Sequence, residues 1–222
     1  MQTTTAPAPP IATTHDYSAP MRVWHWANAL LVSGQLLTIL FLKVIVSARA
    51  AIPDMQREVA DKGGQLTEQQ GRAIAHVIGD RIWSWHIWIG LTLAAFWLFW
   101  TVLQVLDPAG RRFGARLLAA GRRYRLAPPA DHADARHELA AKLTYAVFYL
   151  TITVMVLTGL ALTWADDVAW LGSIEHSVKE VHNVAMYVII GFVALHVVGV
   201  VWSEVTKDRG LISRMVSGER GS

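Results

Sequence analysis

The chain contains no cysteine. That excludes disulfides, cysteine-ligated iron–sulfur clusters and covalent haem attachment through a CxxCH motif. Any redox group must therefore be held by histidine, methionine or another non-thiol ligand. Charge is also scarce: Asp, Glu, Lys and Arg make up 17% of the 222 residues, against 53% hydrophobic residues, where soluble domains carry about 25% charged residues. The four long apolar runs contain no proline and no internal repeat, unlike the broken helices of secondary transporters. Residues 1–20 are rich in Thr, Ala and Pro. They have neither the basic start nor the apolar core of a secretory signal, and are read as a flexible tail.

What is present is membrane-like. Apolar runs at about 23–43, 82–106, 143–164 and 181–202 are each long enough to cross a hydrocarbon core of about 30 Å as a helix. The expected fold is an all-α membrane protein, a four-transmembrane-helix bundle. Residues 21–206 form the membrane domain and 207–222 a basic cytoplasmic tail.

Between the second and third runs lie Arg111, Arg112, Arg116, Arg122, Arg123, Arg125, Arg136 and Lys142, against four acids. This bias reads as a cytoplasmic loop under the positive-inside rule rather than as a nucleic-acid patch. Both termini are then cytoplasmic, and the long connection 44–81 is a first periplasmic loop. Within it, 65–79 has the pattern of a short helix.

The run Val181 to Trp202 organises the reading. It has no charged residue but carries His182 and His196, 14 positions apart. At about 100° per residue the two imidazoles leave the same helix face, about 21 Å apart along the axis. Polar groups inside a membrane are costly and mark function, and imidazole is a common axial ligand of haem iron. The other runs supply matching partners. His25 opens the first run between Trp24 and Trp26, and His86 opens the second. Given the topology, His25 and His196 share the inner depth, and His86 and His182 the outer.

Each pair can clamp one haem b iron, with no open position for oxygen. Zinc fits less well, since two ligands per level leave a tetrahedral site incomplete. His76 and His176, in the outer connections, are the alternatives to His86 and His182. Gly90, one turn after His86, leaves room for a flat macrocycle. Thr158-Gly159 lets a helix or cofactor approach the third run. Arg22, beside the inner site, suits a haem propionate. Two haems so placed make an electron path across the membrane, from a redox partner on one side to a quinone or other acceptor on the other.

RVWHWANAL, HIWIG, TGLAL and VHNVAMYVIIGFVALH resemble the bacterial cytochrome b561 and nickel-iron hydrogenase cytochrome b superfamily, which includes formate dehydrogenase gamma subunits. The likeness runs from about Arg22 to Glu204. It implies a four-helix bundle with two b haems on His25, His86, His182 and His196. It also implies a subunit of a respiratory complex in the bacterial inner membrane, among lipid, linking a periplasmic hydrogenase- or dehydrogenase-like enzyme to quinone. The alternative is a stand-alone quinol-linked oxidoreductase acting on a small oxidant such as superoxide.

Overall fold

A computed structural model describes residues 19–45, 48–108, 112–206 and 209–218. The Thr/Pro-rich start before residue 19 lies outside them, as does Lys207 of the basic tail. Among the described residues all regular structure is helical: α1 (Ala19–Leu40, followed by a π-helical turn Phe41–Ile45), α2 (Ala48–Asp61), α3 (Glu68–Leu106), α4 (Phe113–Leu126), α5 (His132–Thr163), α6 (Ala169–Thr206) and α7 (Leu211–Val216). The chain divides into two compact units, Asn28–Leu195 and, from the two chain ends, Met1–Ala27 with His196–Ser222.

Four helices are long and apolar enough to cross a membrane: α1 with its π turn, α3, α5 and α6. In the larger unit they meet around Val32, Leu93, Ile152 and Ile189, one buried residue from each. Phe148 on α5 and Phe192 on α6 pack 4.7 Å apart beside this centre. Other large apolar side chains on the same helices stay exposed, among them Trp88, Leu98 and Leu150. An apolar exterior on this scale has no place in water and suits lipid.

The helices are longer than the apolar runs. α3 has 39 residues, about 58 Å at 1.5 Å each, so nearly half of it exceeds a hydrocarbon core of about 30 Å. Its first three turns are polar, and hydropathy alone leaves them in a loop. They are nevertheless helical for local reasons. Thr67 and Gln70 form a reciprocal capping box, with Gln70 N–H donating to the Thr67 hydroxyl and Thr67 N–H to the Gln70 side chain. Glu68–Arg72 and His76–Asp80 pair one turn apart. The short helix expected at 65–79 is thus the start of α3, continuous with the second run.

The rest of that connection holds α2, which packs on α3 through Ile52. A side chain at Gly71 would meet Ile52 at 3.1 Å, so glycine permits the close approach. Replacing Thr67 by alanine removes one half of the cap and is expected to cost about 1 kcal/mol locally. Amide exchange should accelerate at the start of α3 and remain unchanged around Ile152.

The basic connection likewise holds a helix, α4, packed along the start of α5. Ala120 and Ala135 are buried, Phe113 lies edge-on to Tyr149 at 5.2 Å, and Arg123 donates to Glu138 at 2.6 Å. Arg112 reaches back to the carbonyls of Val105 and Asp107, closing the end of α3.

In the smaller unit, contacts from α6 and α1 hold α7. The Glu204 carboxylate accepts from the N–H groups of Gly210 and Ile212, capping α7 from the end of α6. The Trp26 indole N–H donates to the Met215 carbonyl at 2.9 Å.

Candidate functional site

Each unit brings together one of the two expected histidine pairs. In the smaller unit the rings of His25 and His196 have centroids 6.1 Å apart, tilted by 55°. An imidazole nitrogen bonds a metal at roughly 2 Å, so two rings sharing one ion have centroids about 6 Å apart. The pair therefore has the separation that one iron needs. Trp26 lies edge-on to His25 at 5.4 Å. Arg22, one turn before His25, has its guanidinium against Gly218. Gly218 has a φ of 78°, a backbone conformation that favours glycine, and that guanidinium occupies the space a Cβ would take.

In the larger unit His86 on α3 and His182 on α6 line one cavity, with about 920 Å³ of empty space counting its open mouth. The lining is mostly apolar and includes Leu93, Met155, Gly90 and Gly159. Trp83 stacks on His86 with centroids 5.1 Å apart and planes 8° from parallel.

Both rings are tied at Nδ1. Thr38 Oγ1 on α1 is 2.8 Å from His86 Nδ1, and Thr158 Oγ1 on α5 is 2.8 Å from His182 Nδ1. Nε2 of each ring has no hydrogen-bond partner among the described residues. Two imidazoles with a free nitrogen each, in an apolar cavity, could hold a flat iron macrocycle between them. No cluster of three or more His, Asp or Glu suited to a metal ion occurs among the described residues. A lone zinc ion is thus poorly served.

The expected site residues fall as follows. His25 and His196 meet, and His86 and His182 share a cavity. Gly90 lines that cavity too, but a Cβ there would first meet the Gln35 amide, at 2.8 Å. Gln35 Nε2 donates to the His86 carbonyl at 2.9 Å, while its buried Oε1 has no partner. His76 is exposed and paired with Asp80 at 2.8 Å, and His176 is exposed on α6, so neither lines the cavity.

Thr38 and Gln35 escape a search for histidines and charges. A threonine in an apolar helix commonly bonds its own backbone and gives no distinguishing signal. Thr158 does carry one, through the glycine that follows it: Gly159 packs against His182, whose Cε1 is 3.4 Å from where a Cβ would stand.

The sequence profile of prokaryotic cytochrome b561 matches residues 16–218. The chain belongs to this family. It is accordingly a multi-pass membrane cytochrome of the b type, with haem b as its cofactor and electron transfer as its role. Among curated proteins this cytochrome is 25% identical to a probable Ni/Fe-hydrogenase B-type cytochrome subunit of Rhizobium leguminosarum bv. viciae, over 92% of the chain and 87% of the relative. Proteins of the same description from Rhodobacter capsulatus and Bradyrhizobium diazoefficiens are also 25% identical. They are matched over 92% and 94% of this chain, and over 80% and 86% of their own lengths. No solved structure matches the cytochrome significantly.

Proposed function

We propose that this cytochrome is a di-haem subunit carrying electrons between a periplasmic oxidoreductase, hydrogenase- or dehydrogenase-like, and the quinone pool of a bacterial inner membrane. The observation that carries the reading is the meeting of His25 with His196, at a spacing suited to one metal ion, together with the shared cavity of His86 and His182. The partner class rests on the relatives, which are named as hydrogenase cytochrome subunits.

Haem, when bound, supplies a one-electron couple at each pair. The histidines would hold each haem by two imidazoles, an arrangement that suits electron transfer rather than oxygen binding. Apolar lining residues such as Leu93 and Met155 would keep water away from a haem held in the cavity of His86 and His182. Arg22, three residues before His25, is suited to pair with a propionate. Residues 21–206 form the haem-bearing domain. The basic α4 connection and the C-terminal end face the cytoplasm, and the α2–α3 connection faces the periplasm, where it offers a helical surface to the partner.

The reading is tested by purifying the protein from its native host and adding a quinol. A periplasmic redox enzyme should co-purify, and the b-type absorption band should appear on quinol addition. Turnover of superoxide by the protein alone, without a bound partner, would replace this reading by a stand-alone oxidoreductase.

A further inference from the structure

We propose that Thr38 and Thr158 are positioning residues that fix His86 and His182 as Nδ1–H imidazoles and thereby lower the reduction potential of the haem they hold. The proposal rests on the two-haem reading above and adds to it a control on potential. It comes from counting protons. A threonine hydroxyl has one proton to give and two lone pairs. Thr38 Oγ1 donates to the Gln35 carbonyl at 2.7 Å, and Thr158 Oγ1 donates to the Val154 carbonyl at 2.6 Å. With those protons committed, each hydroxyl meets its histidine only as an acceptor. Nδ1 must then carry the ring proton, and Nε2 must be the bare nitrogen that metal binding needs.

The same arrangement stands at both histidines, built from different helices. α1 serves α3, and α5 serves α6. Supporting contacts fix the geometry. The Gln35 amide grips the main-chain carbonyl of His86, and Gly90 leaves it room to do so. Gly159 packs against His182 beside the Thr158 contact.

The electronic consequence follows from the direction of the bond. A hydroxyl that is itself donating is a better acceptor, because successive hydrogen bonds polarise one another. Pulling on the Nδ1 proton makes Nε2 more basic. A more basic axial ligand stabilises ferric over ferrous iron, so the potential falls.

Thr38→Val and Thr158→Val keep the side-chain shape and delete the acceptor. Redox titration followed by the b-type band, with electron paramagnetic resonance of the oxidised protein, reads the result. His196→Ala assigns which signal belongs to the His86–His182 haem. Each valine variant should raise that haem's midpoint potential, shift its low-spin signal, and speed its loss to apomyoglobin about 10–100-fold. The other haem's signals should stay unchanged. Thr38→Ser and Thr158→Ser should restore the parent values. If a valine variant does not accumulate, Thr38→Cys, whose sulfur is a weak acceptor, should give an intermediate rise. Valine or cysteine variants with parent potentials and spectra would overturn the proposal and leave the two-haem reading intact. Retention of both haems in His86→Ala would instead sink the reading itself.

Discussion

His196→Ala should cut the haem content from two per chain to one and leave the haem of His86 and His182 with its spectrum unchanged. The argument is local. The 6.1 Å between the rings of His25 and His196 is the span of two imidazoles on one metal, and a methyl group at 196 leaves His25 with no partner. Nothing nearby replaces it, since among the described residues no third histidine or carboxylate joins the pair in a metal-binding group. The other site draws its ligands and threonine acceptors from residues within Asn28–Leu195 and should not feel the change. Haem-to-protein ratio by pyridine haemochrome measures this directly. A ratio unchanged from the parent would show that His196 is not a ligand.

Gly90→Val should empty the other site. The first added carbon would stand 2.8 Å from the Gln35 amide, which must then leave the His86 carbonyl. A branched side chain would project into the cavity as well and take up space that a haem there would need. Occupancy of the His86–His182 haem should fall by about tenfold or more, a loss of the size that disturbing a ligand's supporting contacts brings. Gly90→Ala should do less, because only the amide must shift. Spectra resolved at low temperature would separate the two haems. Full occupancy in the valine variant would mean that the cavity is not the haem pocket.

The membrane helices and the ligand candidates were legible because each rests on a rule that needs no neighbours. An uncharged stretch of twenty or so residues implies a spanning helix. A histidine inside one implies a role, as with His86, His182 and His196. A helix at 65–79 was legible but its continuity with the second run was not, because hydropathy reports where lipid begins and not where hydrogen bonding stops. The polar turns at 68–81 stay helical through the Thr67 cap and one-turn ion pairs, and α4 does so through Ala120 and Phe113 packed against α5. Gln35 and Thr38 were invisible for a different reason. Their chemistry exists only once α1 lies against the turn of α3 that bears His86. Thr158 was half legible, since the adjacent glycine marked a packing position without saying against what.

The central claim is that four histidines act in two couples, each holding its own haem b. Quantifying haem against protein in the purified wild-type chain, with electron paramagnetic resonance of the oxidised sample, tests it most directly. Two haems per chain, both low-spin with two nitrogen axial ligands, is the predicted result. One haem per chain, or a high-spin signal accounting for a whole equivalent, would contradict it.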